Sequence, residues 1–453
     1  MGKIQPCKSN NYLFLLLLFV LWPSTIHSKT IIIRKYSDFL AIPSSGKVSC
    51  VIYANINFKG KEIKLPPNSS LVFKNGALIK NGIVYGHNST IVAESKRIFS
   101  NIEIGGTWNN PKVYSQWLDF REGEDNTKRF QNLMQLCNGG RMTHLYMLKG
   151  TYYVSSLYRS APILIPSNVY WHNEAIVRML PSDMEWYNIV YLNKSENVTI
   201  DGGCFIGDVE SHKGKTGEWG HGIKCGGASN VTIKNVTCSY CWGDGIDLIE
   251  GMDEHGKPTI NCDKINIDNV KCFNNRRQGI SIEAATNVSI RNSEIAYTGI
   301  PKLTSPGAGM DIEPWADNTN KVWNLIVYNC KFHDNKGLDV QCEPNVQKKE
   351  QFSFLHNNIR IEKCEIGTMR IQYTKGIVLM QCDVNKYLFV QNTDNIELRK
   401  TNVGEYRKGK NIRRLKLVSS KLNTNSELLS LLIPILGISG LSLVGLAKYK
   451  GVI

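Results

Sequence analysis

The sequence predicts an all-β solenoid, a right-handed parallel β-helix with an N-terminal capping helix. Three observations carry this expectation. A strand-like phrase recurs through the second half of the chain, and a glycine-led phrase follows it in successive copies. The last copies start only 18 and 19 residues apart. That is too short for a strand–helix–strand unit and suits one turn of an all-β stack.

The 453 residues, 42% of them apolar, suffice for one large repeat domain, and disorder is not the default. Lys3 and Lys8 precede an apolar run from Tyr12 to Trp22, and small and polar residues lead to Ser28. This order reads as a signal peptide over 1–28 and implies an exported protein, periplasmic or cell-surface; an uncleaved anchor is the alternative. Residues 29–110 read as short-strand coils, with Asn and Gly turns separating strands over 61–93. The β-helix domain is expected over 111–425. Near its start, 125–137 (DNTKRFQNLMQLC) places Phe130, Leu133, Met134 and Cys137 on one helical face. Such an amphipathic helix suits an open solenoid end. Strand returns at 149–156.

The first phrase is VTIKNVTC at 231–238, INIDNVKC at 265–272, VSIRNSEI at 288–295, LIVYNCKF at 325–332 and IRIEKCEI at 359–366. Its first and third residues are apolar and its second is polar, the alternation of a strand. Its fifth residue is Asn235, Asn269, Asn292 and Asn329 in four copies, which predicts a stacked amide ladder at a tight bend. The second phrase is HGIKC, DGIDL, QGISI, AGMDI and KGLDV. Its Gly permits a tight turn into a strand. Next comes a core residue (Ile223, Ile246, Ile280, Met310, Leu338), then an outward one (Lys224, Asp247, Ser281, Asp311, Asp339). Cysteines alternate with apolar residues in two columns, so they read as small core residues. Cys238 and Cys241 have no second pair at metal-site spacing, and the columns require no disulfides.

The net charge of +15 is uneven. Residues 399–421 hold nine Lys or Arg against Glu405, whereas 201–350 hold 16 basic and 20 acidic residues. The middle of the chain therefore gives no signal for nucleic acid. Residues 428–447 are uncharged, of a length for one membrane span, and are followed by Lys448 and Lys450. The alternatives there are a membrane anchor and a hydrophobic cap of the solenoid.

The entry segment WLDFREGEDNTKRFQNLMQLC…KGTYYVSS and the phrases GHGIKC, GDGIDL, NRRQGISI and GAGMDIEP resemble the pectate-lyase-like superfamily. These are right-handed parallel β-helix proteins, and the likeness is to bacterial polysaccharide-degrading members over roughly residues 45–425. The resemblance implies the fold and a polysaccharide partner but not the reaction. Polygalacturonase-type members carry a paired Asp before a Gly-His-Gly. Here Gly220-His221-Gly222 comes first, and Asp244 and Asp247 match the paired-Asp region only loosely.

The outward columns gather unusual residues. Asp247, Ser281, Asp311 and Asp339 are expected to align, as are Ile249, Glu283, Glu313 and Gln341. His221, Asp244 and Gln278 precede successive glycines, with Arg276 and Arg277 just upstream of Gln278. Like charges stacked about 4.8 Å apart repel, so a functional face competes with a merely solvated one. Paired carboxyls hydrolyse a glycosidic bond, one as acid and one as base or nucleophile. The candidates are Asp247, Asp311 and Asp244, with His221 tuning the last. Arg276, Arg277, Gln278, Glu283, Glu313, Trp242 and Trp315 are expected to bind substrate, and Trp219 flanks the same turns. No metal or cofactor is expected for hydrolysis. The alternative is β-elimination from a uronic acid, with Asp247, Glu283, Asp311 and Glu313 as Ca²⁺ ligands. A non-catalytic glycan-binding solenoid is the third class.

Overall fold

The computed structural model describes residues 28–253, 255–315, 321–345 and 356–423. The leader, apart from Ser28, and the apolar stretch 428–447 lie outside the described residues.

The recurring phrases become the coils of a parallel β-helix. A middle coil contributes three strands, for example Ser229–Lys234, Thr237–Ser239 and Ile246–Ile249. Each pairs in parallel with its counterpart one coil on: Cys262–Asp268, Lys271–Phe273 and Gln278–Ile282. A 28-stranded sheet results, from Lys112 to Leu422, and a seven-stranded parallel sheet spans Lys29 to Trp108 before it. The short final repeats arise because Glu365–Gln372 joins two strands into one, pairing with both Lys331–His333 and Val340–Cys342.

The asparagines sit at the bend between first and second strands with φ of 58°, 52°, 51° and 55° at 235, 269, 292 and 329. Asn enters this left-handed region at little cost. Asn269 Nδ2 donates to Asn235 Oδ1 and Asn329 Nδ2 to Asn292 Oδ1, both at 2.8 Å. The ladder is broken once, since Asn292 donates to Asp268 rather than Asn269.

The glycines of the second phrase serve close approach. A Cβ on Gly222 would lie 2.6 Å from the Gly245 carbonyl oxygen, one on Gly245 2.6 Å from that of Gly279, and one on Gly279 2.5 Å from that of Gly309. The residue after each, Ile223, Ile246, Ile280 or Met310, is fully buried. Cys238 and Cys272 face each other in the core and continue into Ile295, Phe332 and Ile366. All twelve cysteines of the described residues are free, and eleven are buried.

The helix expected at 125–137 is present as Thr127–Gln135, with Phe130, Leu133 and Met134 buried. It packs against Phe99–Trp108 of the first sheet and Ile163–Leu164 of the second. It therefore lies between two sets of coils instead of closing a free end.

Candidate active site

The third strand of each coil, with the loop before it, forms the candidate site. Trp186–Asn193, Trp219–Gly226, Ile246–Ile249, Gln278–Ile282, Ala308–Ile312 and Val340–Cys342 stack in that order. Their register makes one column of Lys224, Asp247, Ser281, Asp311 and Gln341. Asp339 is thus displaced by two residues from the expected alignment, and Leu338 gives its core place to Val340. Asp339 is used locally: its carboxylate accepts from Thr368 N at 2.7 Å, Thr368 Oγ1 at 3.0 Å and Asn335 Nδ2 at 2.8 Å. The loop before Val340 is therefore longer than repetition of the glycine phrase implies.

A second correction concerns exposure. The columns do not form a solvated face: Asp247 is 1% exposed, Asp311 and Asp244 0%, and His221, Lys224, Arg277, Gln278, Glu283 and Glu313 are buried as well. Buried charge is tolerated only where partners compensate lost hydration, and the partners form one network across coils. His221 Nδ1 lies 3.3 Å from Asp244 Oδ2 and its Nε2 3.7 Å from Asp247 Oδ2. Lys224 Nζ approaches Asp247 Oδ2 at 3.5 Å from the opposite strand residue. Arg277 donates to Asp244 Oδ2 at 3.0 Å and to Glu313 Oε1 at 3.1 Å, so it ties the preceding coil to the following one. Gln278 Nε2 holds Asp311 Oδ2 at 3.0 Å and Glu313 Oε1 at 2.7 Å, and Ser281 Oγ donates to Glu313 at 3.1 Å. Gln341 Nε2 reaches Asp311 at 3.3 Å.

Five buried carboxyls (Asp244, Asp247, Glu283, Asp311, Glu313) face Lys224, Arg277 and His221. The carboxyls respond differently. Burial, then the neighbouring Glu313, drives Asp311 well above the ordinary carboxylate range. Burial, Asp247 and Glu313 do the same to Glu283. Burial raises Glu313 too, against the pull of Arg277. Asp244 goes the other way: burial opposes its ionisation, but Arg277 and His221 together outweigh it and hold the pKa below its usual value. One face thus sets carboxyls whose pKa is raised beside one whose pKa is lowered, the separation that acid–base chemistry uses. Several buried polar atoms have no hydrogen-bond partner among the described residues: His221 Nε2, Asp244 Oδ1, Asp247 Oδ1 and Asp311 Oδ1.

Two expected substrate contacts are committed elsewhere. Arg276 donates to the carbonyls of Gly217, at 2.9 and 2.8 Å, and Trp242, at 3.0 Å, and its guanidinium lies 3.5 Å from the Trp242 ring centroid. Trp242 is 3% exposed, with His212 stacked on it at 3.7 Å, so neither residue is open to a sugar. Arg277 spends its donors on internal carboxylates. Trp315 is 45% exposed and donates to Glu283 Oε2 at 2.9 Å. Of the four carboxylates expected to bind Ca²⁺, Glu283 accepts from Trp315 and Glu313 from Arg277, Gln278 and Ser281, while Asp247 and Asp311 each keep one oxygen without a partner among the described residues. No three His, Cys, Asp or Glu gather in an ion-binding group among the described residues. Lys224, which the sequence marks only as an outward residue, joins the site through its register opposite Asp247. Glu218, 3.5 Å from Arg277 Nε, carries no such signal in the sequence.

A family model described as a right handed beta helix region matches residues 221–397, and the fold is that right-handed parallel β-helix. The uncharacterized protein YclG of Bacillus subtilis (strain 168) is 29% identical over 214 residues, 44% of this chain and 37% of that protein. The SPbeta prophage-derived uncharacterized protein YorA of the same organism is 29% identical over 187 residues, 38% of this chain and 32% of that protein. The chain thus matches about a third of the length of these curated relatives. Among solved structures, the A-module of the mannuronan C-5 epimerase AlgE4 of Azotobacter vinelandii has a TM-score of 0.48 at 12% identity, covering 69% of this chain and 99% of that one. The exopolygalacturonase of Thermotoga maritima has a TM-score of 0.41 at 12% identity, covering 69% and 91%.

Proposed function

We propose that this chain is an exported carbohydrate-active enzyme that hydrolyses a polysaccharide, with Asp311 as general acid and Asp247 as general base. The observation that carries the reading is the pairing of these carboxyls in one column of the solenoid. Asp311 is raised by burial and Glu313, and Asp247 lies against Lys224 and His221. A carboxyl that burial makes hold its proton more tightly than usual can give it to the leaving glycosidic oxygen. An ion-paired carboxylate can take a proton from water attacking the opposite side of the sugar. The two are separated by the Ser281 coil, which places their strands roughly 9.6 Å apart, two steps of about 4.8 Å. That is near the upper end of the range of about 6.5–9.5 Å that leaves room for water and inverts the anomeric centre. Asp244, fixed by Arg277 and His221, supplies lasting negative charge beside the oxocarbenium-like transition state. Gln278 orients Asp311 and Glu313 together.

Incubation with a panel of polysaccharides tests the reading. New reducing ends, without the ultraviolet absorbance of an unsaturated uronate, are expected. That absorbance would replace hydrolysis by elimination. Binding without any cleavage would leave a glycan-binding solenoid. We also propose that the stretch 428–447 holds the protein at a membrane, with the β-helix on the exported side.

A further inference from the structure

The strand Trp219–Gly226, which brings Lys224 to the acid network, begins with an aromatic cluster that the catalytic assignment does not use. Trp219 lies two residues before His221, and its strand partner one coil back is Trp186. The two rings pack at 5.3 Å with a tilt of 34°. Arg159 covers Trp186, with its guanidinium carbon 4.6 Å from the ring centroid, and the exposed Tyr158 lies under the same guanidinium at 5.3 Å. Trp219 is 39% exposed, and among the described residues no other ring or cation packs on it. The cluster is continuous with the site. Lys224 is buried, and its Nζ lies 5.6 Å from the Trp186 centroid and 3.5 Å from Asp247 Oδ2.

Trp219 packs on Trp186 yet leaves part of its indole open, whereas Trp242 is folded away between His212 and Arg276. The contrast separates a packing tryptophan from a presented one. Trp186, itself covered by Arg159, packs against the Trp219 ring, so little side-chain freedom is lost when a flat apolar face docks on it. A pyranose ring offers such a face of axial C–H groups. The Nε2 of His221, two residues along the same strand, and the buried oxygens of Asp244 and Asp247 on the next coil, which His221 touches, lack hydrogen-bond partners among the described residues.

Resting on the carbohydrate reading above, we propose that Trp219, backed by Trp186 and Arg159, is a sugar-binding subsite. It takes one pyranose residue of the polymer on the Asp247 side of the reacting bond. Trp315 stands at the other end of the network, three coils away, or roughly 14 Å at about 4.8 Å per coil. The polymer then runs along the solenoid axis and is held on both sides of the carboxyls.

The test is affinity electrophoresis of the full chain carrying Asp247→Asn, so that no cleavage erodes the gel. The gels contain polygalacturonate, alginate, xylan or hydroxyethyl cellulose. On the polymer that retards this parent, adding Trp219→Ala should weaken retention about tenfold, the equivalent of about 1.4 kcal/mol for a ring-stacking contact. Trp219→Phe should keep most of the retention. If Trp219→Ala lowers the melting temperature, Trp219→Leu replaces it, since leucine keeps apolar bulk without a ring. Retention by the Ala or Leu variant equal to the parent's overturns the subsite while leaving the carbohydrate reading intact. Absence of retardation of the parent on every polymer overturns that reading, and the subsite with it.

Discussion

Replacing Asp311 by Asn isolates the proton from everything else the residue does. Asp311 is fully buried, and its Oδ2 accepts from Gln278 at 3.0 Å and Gln341 at 3.3 Å. The amide oxygen of Asn accepts both, and the substitution preserves shape, so the coil stays in register. What is lost is a transferable proton. General acid–base catalysis is worth about 10²–10⁴-fold, so turnover should fall by that factor, about 3–5 kcal/mol in the barrier. Stability should move the other way. Burial and Glu313 raise the folded-state pKa of Asp311 above that of the unfolded chain. Its stabilising contribution is therefore complete below the ordinary value of about 3.9 and is lost as pH rises toward the raised one. The Asn variant lacks that loss, so it should melt at or above the wild-type temperature at pH 7–8, with a flatter pH dependence. Reducing-end release and thermal melts from pH 4 to 8 measure both arms. Turnover near wild type in a folded Asn variant would refute the acid assignment. A large fall in melting temperature at pH 8 would refute the claim that burial disfavours the ionised form of Asp311.

Arg277→Met should destabilise the chain by about 3–5 kcal/mol in denaturant titrations, because Asp244 and Glu313 would keep their burial and lose their shared cation. Arg277 holds the folded pKa of Asp244 down, so the stability that the pair contributes is present above the ordinary Asp value of about 3.9 and is lost as pH falls below it; the deficit should persist to about pH 4 and shrink only below it. Gly245→Ala places a Cβ 2.6 Å from the Gly279 carbonyl oxygen and should cost about 1–3 kcal/mol in the same titration, although it touches no charged group. Glu283→Gln should lower turnover less than Asp311→Asn if Glu283 only raises the acidity threshold of its neighbours; equal losses in parallel rate measurements would give Glu283 a direct part. Truncation after Asn425 should move the protein from the membrane to the soluble fraction, and equal partitioning of both forms would make 428–447 a cap.

The coil register was legible wherever alternation and a bend residue recur together. The phrases at 231, 265, 288 and 325 carry both, and their strands pair as the repeats align them. It failed at Asp339 because Gly337 resembles the earlier glycines while the alternation of Val340, Gln341 and Cys342 fixes the pairing. A single glycine weighs less than three side chains choosing between core and outer face. The candidate carboxyls were found from their columns, but their burial was not, because it depends on partners distant in sequence. Arg276 reaches back to Gly217 and Trp242, and Arg277 links Asp244 to Glu313. Composition marks Trp219 and Trp242 alike. His212, thirty residues before Trp242, and Arg276, thirty-four after it, separate their fates.

Arg277 has a mechanical consequence. In a solenoid each coil ordinarily feels only its two neighbours, so stability is close to a sum of repeat and nearest-neighbour terms, and coils can open one after another from the ends. A guanidinium that bonds at once to Asp244 on the coil before it and Glu313 on the coil after it adds a term linking three coils. Opening any of these coils would strand a buried charge on another. The three coils from Asp244 to Glu313 should therefore open as one cooperative block inside a chain whose other coils can fray singly. The geometry around the carboxyls thus persists through fluctuations that reach the rest of the stack.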